Sequence, residues 1–154
     1  MNFATFWSKL EALEKTISVT SPTTVSVKRA YWGAPGEAVS DLPCVINALA
    51  EPERTLGFGS RDQLLRINVQ ILVARATVED SRSSMTATAL WFEAKDVFDR
   101  DVTIGGTVPW STLRGANPTV PVLLSHAGQV YIGVNAYLDV RDVEAFDFDP
   151  PEEE

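Results

Sequence analysis

Residues 64–76 read LLRINVQILVARA. Ile67, Val69, Ile71 and Val73 fall on every second position, with Arg66, Asn68 and Gln70 between them and Leu72 breaking the polar row. Side chains of an extended chain alternate between two faces, so the stretch predicts a strand with one apolar face and one mostly solvated face. The next segment, VEDSRSSMTATALWFEAKDVFDRD (78–101), changes period. Met85, Ala89 and Phe92, with Leu90, Ala94, Val97 and Phe98, form one broad apolar stripe at helical spacing, and Ser81, Ser83 or Ser84 can supply the N-cap. A helix over about 82–100 therefore follows the strand.

Outward from this pair the same two periods recur. At the N-terminus, FATFWSKLEALEKTI (3–17) sets Phe3, Phe6, Trp7, Leu10, Leu13 and Ile17 at steps of three or four, with Lys9, Glu11, Glu14 and Lys15 on the other faces, which predicts an amphipathic helix. TVSVKRAYW (24–32) and LPCVINALAEP (42–52) read as extended segments, the second kept short by Pro43 and Pro52, and GFGSRD (57–62) reads as a flexible loop tip. Near the C-terminus, GQVYIGVNAYLDVRDVEAF (128–146) turns Val130, Ile132, Val134, Ala136, Leu138 and Val140 to one face, and Tyr131, Gly133, Asn135, Tyr137 and Asp139 to the other. Two helices on one face of a mostly antiparallel sheet make an α+β domain over residues 1–146, with no internal repeat. Residues 147–154 are an acidic, Pro-containing end of the composition expected for a disordered tail.

Composition limits the chemistry. A 154-residue chain buries enough surface to need no disulfide or metal staple, and one cysteine with one histidine gives no zinc cluster. No apolar run reaches the length of a membrane span, and the N-terminus lacks the pattern of a signal peptide, so the expectation is a protein made and used without export. Of the net charge of −8, most lies from Asp139 onward, where eight acidic residues face Arg141 alone. The preceding part is close to neutral, and clustered Lys and Arg for sequence-specific DNA binding are missing.

Each residue type that could carry catalysis has a simpler account. The double glycine of DVTIGGTVPW (101–110) has no following lysine and no following helix, so Gly105 and Gly106 predict a turn with positive φ in place of a phosphate loop. His126 sits in SHAGQ (125–129), a hairpin turn, with no acid nearby in sequence to orient it. Cys44 lies among Leu42, Pro43, Val45 and Ile46 and reads as a small buried apolar group. Glu93 and Asp96 are three apart on the second helix, a spacing a paired-acid site could use, but Lys95, Asp99 and Arg100 beside them describe a solvated helix surface. No catalytic, cofactor-binding or metal residue is assigned, and a non-enzymatic role is expected. What stands out is aromatic surface: Trp32, Phe58 and Trp110 in or beside the loops WGAPGEAVSD (32–41), LAEPERTLGFGSRD (49–62) and PWSTLRGANPTVP (109–121), and Tyr131 and Tyr137 on the second face of the last strand. That face is either a second core layer or an intersubunit surface, since Tyr and Trp are enriched in interface cores.

Taken in order, the N-terminal helix, RINVQILVAR (66–75), ATALWFEAKDVFD (87–99) running into VTIGGTV (102–108), and YIGVNAYLDVRDVEAF (131–146) resemble the tail terminator proteins of long-tailed bacteriophages over most of residues 3–146. The resemblance implies a small α+β subunit of a homo-hexameric ring that caps the tail tube and offers the docking surface for the head–tail connector or stopper. It further implies no cofactor, DNA passing through without specific binding, and a place at the tail–head junction of a virion assembled in the host cytoplasm. Other neck proteins, for head completion or head–tail joining, meet the same demands. A hot-dog-type thioesterase, with Glu93 or Asp96 catalytic, and a monomeric module binding a ligand through Tyr131 and Tyr137 are the alternatives from other classes.

Overall fold

A computed structural model describes residues 2–20, 24–56, 60–76 and 81–145, with backbone alone at 51–56, 60–63 and 142–145. The chain runs α1 (Phe3–Glu14), β1 (Ser18–Val19), β2 (Val25–Ser26), β3 (Arg29–Trp32), β4 (Cys44–Leu56), β5 (Ser60–Arg75), α2 (Ser81–Arg100), β6 (Trp110–Gly115), β7 (Val122–His126) and β8 (Gln129–Ala145). The main sheet has the order β3-β4-β5-β8-β6, with β7 also paired to β8; β3 and β4 are parallel and the remaining pairs antiparallel. The two helices pack on one face of this sheet, and the α+β arrangement is the one the sequence periods describe.

The alternation of residues 64–76 sorts side chains as expected. Ile67, Val69, Ile71 and Val73 join Val134, Ala136, Leu138 and Val140 of β8 in the main core, where they meet Phe6 and Leu10 of α1 and Ala87, Leu90, Ala94 and Phe98 of α2. Burial of each large apolar side chain is worth roughly 1.5–3 kcal/mol, so this layer supplies most of the gross stabilisation. Leu72, out of step with its polar neighbours, faces the other way into a second cluster with Tyr31, Val39, Leu42, Cys44, Ile46, Val122, Leu124 and Tyr131. The sheet therefore has a core on both faces, and the 33–43 segment covers the smaller one through Val39 and Leu42. Gly133 is required at the centre: a Cβ there would lie 1.9 Å from the Ile71 carbonyl oxygen of the neighbouring strand.

Several local expectations are corrected. Pro52 does not end its strand; β4 continues to Leu56, and its register against β5 slips between Leu49 and Glu51 and again between Glu51 and Arg54. A bulged, edge-facing stretch is where a strand tolerates a residue without an N–H. Ser60, Arg61 and Asp62, read as loop, belong to β5, so most of 49–62 is a hairpin. Trp110–Gly115, also read as loop, is strand β6, with Ser111 and Leu113 buried on alternate positions. Ser81, Ser83 and Ser84 all lie inside α2, so none of them is its N-cap. Nor does α2 have one broad stripe: Ala87, Leu90, Ala94 and Phe98 face the core, while Met85 and Phe92 are 66% and 64% exposed on the opposite side. Glu14, assigned by the sequence to a polar face, is fully buried.

The double glycine is a turn. Ile104, Gly105 and Gly106 have φ of 47°, 64° and 77°, a left-handed run in which glycine at two of three positions relieves the steric cost. The loop does hold an anion, but its own: both carboxylate oxygens of Asp101 accept from the Gly105 amide, at 3.2 and 3.0 Å. Buried Ile104 pins the turn to the core. His126 precedes a second tight turn, Ala127-Gly128, with φ of 48° and 76°, which closes the β7–β8 hairpin.

Candidate assembly surface

The strand order sets β3 and β6 at opposite edges of the main sheet, separated by about 19 Å for four strand spacings. Each edge carries exposed aromatic surface. At the β3 edge Trp32 meets two rings from α1, edge-on to Phe3 with centroids 4.8 Å apart and to Trp7 at 5.8 Å. Asn2 orients this end of the helix, its side chain accepting from the Thr5 amide at 3.1 Å. Phe3 is nonetheless 47% exposed and Trp32 36%. At the other edge Trp110, the first residue of β6, is 43% exposed.

Between the edges, the sheet face away from the helices is polar where the second apolar cluster leaves it uncovered. Asp139 of β8 is buried and accepts from two arginines, Arg66 Nε on β5 at 2.9 Å and Arg114 on β6 at 2.8 Å. The Arg66 guanidinium also stacks 5.1 Å from the Tyr137 ring centroid, and Asn68 Nδ2 donates to Asn135 Oδ1 at 3.0 Å. Charge-assisted bonds of this kind tie three adjacent strands together and keep the polar face rigid.

Of the five aromatic residues singled out by the sequence, Trp32 and Trp110 are on the surface at opposite sheet edges, and Tyr137 is half-buried under Arg66. Tyr131 is corrected as an interface residue and takes the other reading of its face, a second core layer: it is fully buried there, its hydroxyl accepting from the Val39 amide at 3.1 Å. A buried Tyr with its polar tip satisfied inside the subunit has no surface to offer. Phe58 lies outside the described residues.

The candidates for chemistry are dispersed. Asp96 and Asp99 are exposed on α2, Glu93 is half-buried, and Lys95 Nζ donates to the Leu113 carbonyl at 2.8 Å. His126 Nε2 lies 3.0 Å from the Glu37 carbonyl oxygen. Cys44 is fully buried, and burial, with Asp41 adding to it, pushes its thiol up to about 12. A cleft of about 480 Å³ between Arg29 and the 35–41 segment is lined by an exposed Arg29–Asp41 pair at 3.6 Å. Among the described residues no group of three or more His, Cys, Asp and Glu could hold a metal ion.

A buried polar pair escaped the sequence reading. Glu14, at the last position of α1, reaches β4, where Asn47 Nδ2 donates to its Oε1 at 2.7 Å and to the Tyr31 carbonyl at 3.2 Å. Burial pushes the Glu14 carboxyl up to about 8, against the Asn47 hydrogen bond, with Glu11 adding to the rise. Its spacing was the available signal: four residues from Leu10 and seven from Trp7 put it on the inward face. The pair fastens α1 to the strand beside Trp32, and so holds the aromatic edge in place.

No family model matches the chain, and comparison with curated proteins and with solved structures gives no match either.

Proposed function

We propose that this chain is a structural subunit of a closed homo-oligomeric ring, of the kind that caps the tail tube of a long-tailed phage and receives the head connector. The observation that carries the reading is the pair of unlike aromatic patches at opposite edges of one sheet: Phe3, Trp7 and Trp32 at the β3 edge, and Trp110 at the β6 edge. A head-to-tail contact needs two different complementary patches on each subunit, and it generates a ring when the rotation closes. Trp is among the side chains that supply such contacts with most of their energy, and Phe is enriched in their cores.

Charge supports the same use. The chain before Asp139 is close to neutral and the remainder strongly acidic, so a ring of these subunits repels DNA or ignores it, as a channel that DNA must traverse requires. The rigid polar sheet face, tied by Arg66, Asp139 and Arg114, then serves as a frame that keeps the two edges at a fixed angle.

The test is charge placement at the edges. Trp110→Glu and Trp32→Glu each remove ring assembly, read as loss of the high-mass species by light scattering, while far-UV circular dichroism keeps the wild-type spectrum. Rings that form at wild-type concentrations in both variants would overturn the assignment of these edges. Glu93→Gln serves as the control for the enzymatic alternative and leaves assembly unchanged.

A further inference from the structure

Six residues on the outward side of α2 follow one another at spacings of 3, 4, 3, 4 and 3: Arg82, Met85, Ala89, Phe92, Asp96 and Asp99. This is the spacing of a coiled-coil seam, two heptads long, and it lies opposite the stripe that α2 buries in the domain. Met85 and Phe92 are the most exposed of its apolar members, and Ser84, Thr88 and Ala89 complete a shallow depression between them. Thr88 does not make that depression polar, because its hydroxyl is bonded back to the Ser84 carbonyl at 2.9 Å.

The ends of the seam identify the occupant. Arg82 stands at the N-terminal end and Asp96 with Asp99 at the C-terminal end, all three exposed. A parallel neighbour would oppose like charges at both ends. An antiparallel second copy opposes unlike charges at both ends, and a single two-fold axis satisfies the pattern twice. We infer that the outward face of α2 is a self-association surface, which pairs with α2 of a second copy in antiparallel register. With Arg82 opposite Asp99 of the other chain, each Phe92 rests on the Ala89 of its neighbour, large against small, and each Met85 lies across from Asp96, whose carboxylate is one helical turn from the facing Arg82.

Helix formation costs nothing at the moment of pairing. A free two-heptad helix is marginal in water, but α2 is already held by Ala87, Leu90, Ala94 and Phe98 in the core. The pairing is isologous and uses neither sheet edge, so it stands apart from the ring contacts proposed above and would join two subunits, or two rings, face to face. A contact confined to one helix face belongs to the smaller, transient class of interfaces.

Sedimentation velocity on the full chain, up to a concentration on the order of 100 µM, tests it. The wild type shows a doubling of mass, of monomer or of ring. Phe92→Glu and Arg82→Glu, both at exposed positions, weaken the doubling at least tenfold with the circular dichroism unchanged. The combined variant Arg82→Glu with Asp99→Arg restores the opposite-charge pairs and recovers the doubling. Trp110→Glu leaves it intact, so failure of the ring proposal and failure of this one give different results. A wild type that never doubles, a doubling indifferent to Phe92→Glu, or a charge swap no better than Arg82→Glu alone overturns the inference.

Discussion

Replacing Glu14 by Gln should make the protein more stable at alkaline pH and leave it nearly unchanged in mild acid. The carboxyl is fully buried between α1 and β4, and among the described residues Glu14 Oε2 and Asn47 Oδ1 have no hydrogen-bond partner. A proton on the carboxyl supplies the donor that this pair of acceptors lacks, in line with the rise of the group to about 8. The unfolded chain releases the same proton near 4.5. Between these values the folded state holds more protons than the unfolded one, so stability falls as pH rises, by up to about 1.4 kcal/mol per pH unit. The whole contribution is present below about 4.5 and gone above about 8, a loss on the order of 4–5 kcal/mol. Gln is neutral throughout, keeps the acceptor for Asn47 Nδ2 and adds a donor for Asn47 Oδ1. Urea unfolding of both proteins at intervals from pH 4.5 to 9 isolates the site, because the other carboxylates cancel in the difference. The advantage of the Gln variant should grow from near zero at pH 4.5 to several kcal/mol at pH 8 and then level off. A difference that stays flat, or that grows toward acid pH, refutes the reasoning.

Four further substitutions probe the frame of the sheet. Gly133→Ala drives a Cβ into the Ile71 carbonyl and should cost about 3 kcal/mol or more in chemical denaturation, since backbone on a central strand cannot move aside. Asp139→Ala removes the carboxylate that Arg66 and Arg114 share and should cost about 1–3 kcal/mol, since both guanidiniums keep access to water, measured the same way; Arg114→Ala, at a half-exposed position, should cost less than 1 kcal/mol. Tyr131→Phe removes the acceptor of the Val39 amide and should cost about 1–3 kcal/mol. In the Tyr131→Phe variant, hydrogen exchange should show faster exchange across residues 33–43 than across β5.

The elements most legible in the sequence are those with one unbroken apolar face. Ile67 to Val73 and Ile132 to Val140 alternate because one face meets helices while the other, away from Leu72 and Gly133, meets polar neighbours or solvent, and that asymmetry is written into the residue types. β6 was hidden because Pro109 and Gly115 close a six-residue strand whose inward positions are only Ser111 and Leu113. The continuation of β4 past Pro52 was hidden for a related reason, as proline marks an end unless a bulge takes it up. The two stripes of α2 merged into one because composition records that Met85, Phe92, Leu90 and Phe98 are apolar, while only their angular positions separate the inward from the outward pair. Of the aromatic positions, Trp32 and Trp110 kept their exposure, whereas Tyr131 was drawn inward by the 33–43 segment, a long-range partner 92 residues away that no local pattern announces.

The proposal of a ring is tested most directly by the mass of the purified chain, alone and with tail tubes, using light scattering and negative-stain imaging. The account predicts a closed six-fold species of roughly 100 kDa from the 16.9 kDa chain, or its face-to-face pair, or subunits found only at the head-proximal end of the tubes. A chain that stays a monomer or a two-copy species at every concentration, and that ignores the tubes, would contradict it.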